Sequence, residues 1–205
     1  MRLAHKIKLD PTPEQAQAFE KACGVARFSY NWGLAKWIEI YEAWKLDNTK
    51  QKPNGSLIKL MFNEIKELQF PWVYESPKDA NQQALNNLDK AFRRFFKKES
   101  KYPKFKKKGQ KDSFYISNDK FKVYDKTIKL PKIGLVKMFE ELRFEGKITS
   151  CVVSKAAGMW FASIGVEIED YKKERIGNGE IGIDLGLKNY ITTSSGETVN
   201  HPKTL

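Results

Sequence analysis

The chain has 205 residues, of which 37 are lysine or arginine and 25 aspartate or glutamate, giving a formal charge of +12 and a pI near 9.5. With 40% hydrophobic and 13% aromatic residues it carries enough apolar material for real cores, which excludes a disordered basic tail, while its charge points to a polyanionic partner. No apolar run is long enough to span a bilayer and the opening residues lack the apolar segment of a secretory signal, so a cytoplasmic protein without a membrane partner is expected. Cys23 and Cys151 lie far apart without a CxxC, and His5 and His201 are the only imidazoles. No zinc site of ordinary spacing is expected, and both cysteines read as buried thiols.

Leu3, His5, Ile7 and Leu9 alternate with Ala4, Lys6 and Lys8, the period of a half-buried strand. Thr12-Pro13-Glu14-Gln15 then opens a helix with a capping box and a proline in its first turn. Phe19, Cys23, Ala26, Tyr30, Gly33, Trp37, Ile40, Tyr41 and Trp44 come next at helical spacing and read as its core face, ending in the polar stretch Asp47 to Gly55. A second helix is predicted from a Ser56 cap through Leu57, Leu60, Met61, Ile65 and Leu68, stopped by Pro71. A third is predicted from the cap Ser76-Pro77-Lys78-Asp79, with Ala84, Leu85, Leu88, Ala91, Phe92 and Phe95 along one side.

After Pro103 the pattern turns to short strands: Phe114 to Ser117, Lys120 to Val123, Thr127 to Leu130, Leu135 to Lys137, Lys147 to Ser154 and Trp160 to Ile168. Ala156-Ala157-Gly158 joins the last two as a hairpin. Such strands suggest a small barrel or sandwich, into which the Leu3 to Leu9 strand pairs, because an isolated strand leaves its backbone unsatisfied. Asp170 to Gly179 reads as a polar linker. Ile181 to Gly186 then reads as an apolar strand carrying Asp184, and Tyr190 to Thr193 as another.

Residues 93–111 hold ten basic side chains, Arg93, Arg94, Lys97, Lys98, Lys101, Lys104, Lys106, Lys107, Lys108 and Lys111, against the single acid Glu99, so most of the net charge sits there. A charge run is ordinarily a solvated face, but cations without acid partners repel one another unless a polyanion is bound. Each phosphate neutralised releases counterions, which makes binding salt-sensitive and tolerant of sequence. Tyr102 and Phe105 within the run are suited to stacking on bases.

Gly182-Ile183-Asp184-Leu185-Gly186 suits the first strand of ribonuclease H-like nucleases and equally the phosphate-binding strand of actin-like ATPases. The ATPase version lies near the amino terminus and is succeeded by hydroxyl residues. Here about 180 residues precede it and Leu187-Lys188-Asn189-Tyr190 comes after it, which favours the nuclease version. One carboxylate is not a two-metal site, since that route needs several a few ångströms apart.

In this order Lys8-Leu9-Asp10-Pro11-Thr12, Ala26-Arg27-Phe28-Ser29-Tyr30-Asn31-Trp32, Ala84-Leu85-Asn86-Asn87-Leu88-Asp89-Lys90-Ala91-Phe92, Tyr102-Pro103-Lys104-Phe105-Lys106, Ile128-Lys129-Leu130-Pro131-Lys132-Ile133-Gly134 and Gly182-Ile183-Asp184-Leu185-Gly186-Leu187-Lys188 make the chain resemble the TnpB family, transposon-encoded RNA-guided DNA nucleases related to type V CRISPR effectors. The resemblance runs along essentially the whole length. It implies an α+β fold: a wedge-type β-barrel (residues 1–10 and 103–176), interrupted by a helical recognition domain (11–102) and followed by the start of a RuvC-like, RNase H-like domain (177–205).

It further implies a guide RNA and a double-stranded target DNA as partners, with base pairing supplying sequence specificity. By position, Lys78, Gln82, Ser117 and Asn118 match motif-reading places of the family, although Lys78 and Gln82 also suit plain exposure on a first helical turn. Asp184 matches the first of three RuvC acids that hold Mg²⁺ in the family. The middle glutamate, the zinc ribbon and the last aspartate have no counterpart in these 205 residues, and Glu197 is too close to serve as the middle acid. Binding without cutting is therefore expected, as in a nuclease part or a nuclease-dead repressor. The competing class is a basic RNA- or DNA-binding module that needs no guide.

Overall fold

The computed structural model describes residues 1–169, 180–186 and 189–200, in two units that divide at Glu169/Asp170. In the first unit, strand β1 (Arg2–Asp10) leads into helix α1 (Pro13–Leu46), α2 (Gly55–Gln69), a 3-10 turn (Pro71–Glu75) and α3 (Lys78–Phe96). Six strands complete it: β2 (Ser113–Ser117), β3 (Lys122–Tyr124), β4 (Thr127–Leu130), β5 (Gly134–Met138), β6 (Lys147–Ala156) and β7 (Met159–Glu167). They form one antiparallel sheet in the order β2-β6-β7-β1-β5-β4-β3, with β1 paired on both sides, to β7 from Arg2↔Glu167 to Leu9↔Trp160 and to β5 at Leu9↔Met138. Among the described residues no ladder joins the outer strands β2 and β3.

Strand alternation sends His5, Ile7 and Leu9 of β1, Trp160, Ala162, Ile164 and Val166 of β7, and Cys151 and Val153 of β6 to the buried face. His5 is accommodated there because its Nδ1 accepts the Arg143 backbone N–H at 3.2 Å while Nε2 lies 3.5 Å from a Glu140 carboxylate oxygen. Phe19 of α1 packs between Phe114 and Trp160 at ring distances of 5.9 and 5.0 Å, so helices and sheet share one apolar core. Burial pushes the Cys23 and Cys151 thiols up to about 12, which keeps both protonated and unreactive at neutral pH.

The helix starts reflect side-chain chemistry. Thr12 accepts the Gln15 N–H and Gln15 accepts the Thr12 N–H, the reciprocal box predicted for α1. For α2 the cap is Asn54, whose side chain accepts from Leu57 N–H at 2.9 Å, and not Ser56; Gly55 and Ser56 lie inside the helix. Leu60 and Leu68 point outward, 57% and 88% exposed, because the face that meets α1 and α3 is set by Ile58 and Phe62. Ser76 is buried and does not cap α3, which begins after Pro77 without a side-chain cap. On α1 the buried stripe ends at Trp37, so Tyr41 and Trp44 lie beyond the core rather than in it.

The second unit contains β8 (Ile183–Asp184), β9 (Asn189–Thr193) and β10 (Thr198–Asn200) in one antiparallel sheet ordered β10-β9-β8. Of the strand predicted from Ile181 to Gly186 only two residues form a ladder, Ile183↔Thr193 and Asp184↔Thr192. The predicted linker Asp170 to Gly179 and the residues Leu187, Lys188 and His201 lie outside the described residues.

Two glycines of α1 differ in their surroundings. A Cβ on Gly33 would stand 2.9 Å from Leu85 Cδ2 and Leu88 Cδ2 and 3.2 Å from Ile58 Cγ2, whereas a Cβ on Gly24 would meet only Arg27 Nη2 at 3.9 Å. Helical alanine gains about 1 kcal/mol over glycine, while overpacking a core costs about 1–3 kcal/mol. Gly24→Ala is therefore expected to raise stability in urea unfolding and Gly33→Ala to lower it; a stabilised Gly33→Ala would contradict the close approach of the three helices.

Candidate nucleic-acid interface

The basic run is held in place by α3, from whose end it departs, and by α1. At the end of α3 the Lys98 N–H donates to Phe95 C=O at 2.9 Å and Glu99 N–H to Arg94 C=O at 2.9 Å, with Lys98 at φ +61°. This is a Schellman ending with lysine in the left-handed position where glycine is usual, and it turns the chain back along the helices. Tyr102 then seats its ring edge-on against Phe92 and Phe95 at 5.6 and 5.2 Å, and Pro103 is buried.

Three residues of α1 fix the chain from Lys106 to Asp112. The Asn31 side-chain amide donates to Lys106 C=O at 2.9 Å while its oxygen accepts Lys106 N–H at 2.8 Å, so one side chain satisfies both backbone groups of Lys106 as a neighbouring strand would. The Lys106 ammonium stands 4.3 Å from the centre of the Tyr30 ring. Although the lysine keeps contact with solvent, desolvation against the protein pulls its pKa below the ordinary lysine value. One turn earlier, Arg27 meets the carboxylate of Asp112 at 2.9 Å, and the other oxygen of that carboxylate accepts Gly109 N–H at 2.9 Å. The Asp112 C=O also accepts Lys155 N–H at 3.0 Å, which ties the run to β6.

Two of the ten cations have acid partners: Arg93 with Asp89 at 3.0 Å and Arg94 with Glu99 at 3.9 Å. The premise that the run is wholly unpaired is therefore corrected at these two positions. Both arginines are largely exposed, and such pairs contribute about 0–1 kcal/mol and leave the guanidinium open to competing anions. Lys97, Lys98, Lys101, Lys104, Lys107, Lys108 and Lys111 are exposed, and among the described residues none has a carboxylate within ion-pair distance. Phe105 is exposed among them. The outcome is a row of free ammonium groups on a backbone whose position is fixed, which suits the repeated phosphates of a nucleic acid.

A second group lies where α3 begins. The Asp79 carboxylate accepts the Ser117 N–H at 2.9 Å, and the Ser117 hydroxyl stands 2.7 Å from both Asp79 and Asp119, able to donate to one at a time. Ser117 is thus committed to joining α3 to β2. Lys78, Gln82 and Asn118 are exposed around that joint. Burial, and secondarily the Lys78 ammonium, hold Lys66 below the ordinary lysine pKa, so Lys66 and Lys78 share one surface. Gln82 lines a cleft of about 260 Å³ with Lys59, Asn63, Asn81 and Asn86, and the buried Asn81 side-chain oxygen has no hydrogen-bond partner there. Amides and ammonium groups of this kind match base-edge donors and acceptors.

Asp184 stands apart from both groups in sequence. It is exposed, and it pairs with Thr192 in the two-residue β8 ladder. Among the described residues no three His, Cys, Asp or Glu side chains come together as a metal-holding group, so these residues do not fit a magnesium pair by themselves. The described residues also contain no helix long and apolar enough to cross a membrane.

Residues 1–45 match a family model of the OrfB/IS605 type, described as a helix-turn-helix domain. InsQ of Escherichia coli (strain K12), named an RNA-guided DNA endonuclease, is 30% identical over 200 residues, covering 97% of this chain and 48% of InsQ. A protein of the same designation from Streptomyces pristinaespiralis is 27% identical over 208 residues, or 99% of this chain and 50% of that protein. Over nearly its whole length the chain is thus similar to RNA-guided DNA endonucleases of the TnpB type. It spans about half the length of these curated relatives. The virulence protein VsdF of Salmonella dublin is 32% identical over 113 residues, 53% of this chain and 95% of VsdF.

One chain of a Cas12f1–sgRNA–target DNA complex overlaps loosely, at a TM-score of 0.42 and 13% identity over 98% of this chain and 57% of that one. That degree of likeness fixes neither the detail of the fold nor a partner. The helix-turn-helix label of the OrfB/IS605 family model does not describe the geometry here, because residues 13–46 form one continuous helix without a turn.

Of the anchoring residues, Tyr30 reads in the sequence as part of the core face of α1 and is buried there, whereas Arg27 and Asn31 stand only within a family string, without a role. Asn31→Ala removes two hydrogen bonds worth about 0.5–1.5 kcal/mol each, so stability should fall by about 1–2 kcal/mol and amide exchange at Lys106 should quicken at least tenfold. Unchanged Lys106 exchange would show that the run is held by something else.

Proposed function

We propose that this chain is the nucleic-acid-binding part of a transposon-associated RNA-guided DNA endonuclease. The observation that carries the reading is the set of seven lysines, unpaired among the described residues, on a backbone held by the end of α3, by the Tyr102 ring and, from Lys106 to Asp112, by Asn31 and Arg27. A backbone fixed before binding spends less ordering entropy when phosphates arrive. In this reading the run from Arg93 to Lys111 grips a guide RNA and its paired target strand through their phosphates, and sequence is read by base pairing. Lys78 and Gln82, beside Asn118 and the Asp79–Ser117 joint, read a short motif in double-stranded target DNA. The seven-stranded sheet takes the part of the wedge-type barrel, and β8 to β10 that of the first strands of the nuclease fold.

Asp184 is the first nuclease acid in this reading, and Mg²⁺ is the ion it would help to hold. Cleavage by the two-metal route needs further carboxylates beside it, and the described residues offer no such group. The 205 residues alone should therefore bind guide and target without cutting. Incubation with guide RNA, target DNA and Mg²⁺ checks this, and guide-directed cleavage would overturn it.

The binding claim has its own test. Lys104→Ala/Lys107→Ala/Lys108→Ala should lower affinity for RNA at least tenfold at low salt. The slope of log affinity against log salt should become shallower by about 2–3, near one unit per phosphate contact removed. An unchanged slope would remove the basic run from the interface. RNA of one defined sequence copurifying with the chain supports a guide, whereas a heterogeneous population supports a guide-independent basic module.

A further inference from the structure

The carboxyl end of α1 carries aromatic side chains that the core does not use. Tyr41 is 39% exposed and Trp44 half-buried, and their rings lie 5.9 Å apart at an angle of 32°. Tyr102 is 46% exposed and Phe96 62%. Trp37, one turn before Tyr41 on α1, stacks on Phe92, and Tyr102 meets Phe92 edge-on at 5.6 Å, which brings Tyr102 to the turn that carries Tyr41; burial, then Glu42 and Tyr41, raise the pKa of its phenol. Beneath Tyr102 the rings are fixed: Phe92 stacks on Trp37 at 4.0 Å and 6° and holds Phe96 at 6.1 Å.

Around these rings the charge is lopsided. Residues 41–52 and 93–104 together contain nine basic side chains and three acidic ones. Lys52 reaches over Trp44 at 4.2 Å, and Lys45 lies over Tyr41 at 5.5 Å while pairing with the Glu42 carboxylate at 2.8 Å, an exposed ion pair that a phosphate can replace; both lysines have flexible stems that can swing to phosphate. A second copy of the chain would bring the same positive charge against itself. A single-stranded polyanion brings phosphates for the lysines and flat apolar faces for the rings. Bases inside a duplex hide those faces, so the occupant is unpaired. Glu42 would repel phosphate but accepts a hydrogen bond from a 2′-hydroxyl, a donor that DNA lacks.

We propose that Tyr41, Trp44 and Tyr102 form a stacking platform for unpaired RNA bases at the end of the helices, with Lys45 and Lys52 taking the flanking phosphates. This rests on the nucleic-acid reading above and adds to it a site at the end of α1 that reaches the basic run at Tyr102, selective for strand state rather than for sequence.

Fluorescence anisotropy with the 205-residue chain tests it, using a labelled 12-nucleotide single-stranded RNA, the same RNA in duplex form, and single-stranded DNA of the same sequence. Tyr41→Ala/Trp44→Ala should lose about tenfold or more in affinity for single-stranded RNA, lose little for duplex RNA, and lose less for DNA than for RNA. Trp44→Phe, which keeps a ring, should restore most of the loss. The thermal melt should stay unchanged, because these rings lie outside the core.

Undiminished binding of single-stranded RNA by the double variant, while Lys104→Ala/Lys107→Ala/Lys108→Ala weakens every nucleic acid, would overturn the platform and leave the basic run standing. If neither variant weakens binding, the nucleic-acid reading itself fails. Equal losses on RNA and DNA would overturn the assignment to RNA. A wild-type chain that sediments as a dimer and becomes monomeric on Tyr41→Ala/Trp44→Ala would give the surface to a second copy instead.

Discussion

A row of like charges has no folded position of its own, since each ammonium pushes on the next and nothing within the row pulls back. In this protein the position comes from Asn31, which holds both backbone groups of Lys106, assisted by the Tyr30 ring under the same lysine and by Arg27 on Asp112 one turn earlier. These three side chains sit at successive points along one face of α1, a helix 34 residues long and therefore about 50 Å from end to end. The helix packs against the sheet through Phe19 and against α2 and α3 through Gly33, and lends that rigidity to the lysines. Preorganisation of the cations thus descends from helix packing, and the cost of crowding them is met by the core.

The joint at Asp79 extends the same logic to the other half of the candidate site. Its carboxylate occupies the first turn of α3, where an acid is favoured by the helix dipole, and simultaneously accepts from the backbone and hydroxyl of Ser117 at the end of β2. The exposed side chains on either side, Lys78, Gln82 and Asn118, are therefore carried by two elements locked to each other. A reader of base edges needs that kind of fixed geometry, since a bidentate contact tolerates little displacement.

Local chemistry was legible in the sequence and distant chemistry was not. The Thr12/Gln15 box, the Thr127 to Leu130 strand, the stop at Pro71 and the Ala157-Gly158 turn were all readable because each depends on neighbours a few positions away. In the sequence Ser56 reads as the cap of α2, but the cap is Asn54, two positions earlier, whose side chain accepts the Leu57 N–H. The end of α3 was obscured because lysine, not glycine, takes the left-handed position. Asn31 stands in the sequence only as one member of a family string, as its partner is 75 positions later. Strand order was hidden for the same reason: alternation says which face a residue takes, not which strand lies beside it.

The central place of β1 carries a consequence for how the molecule is made. Arg2 meets Glu167, 165 positions further along the chain, and the sheet has no continuous middle until that pairing exists. A ribosome adding about 5–20 residues each second needs roughly 10–30 seconds to reach that partner. For that interval the earliest-made segment waits with two open edges, while the three helices behind it already have everything they require to associate. The order of birth along the polypeptide is therefore the reverse of the order in which its two kinds of architecture can be completed.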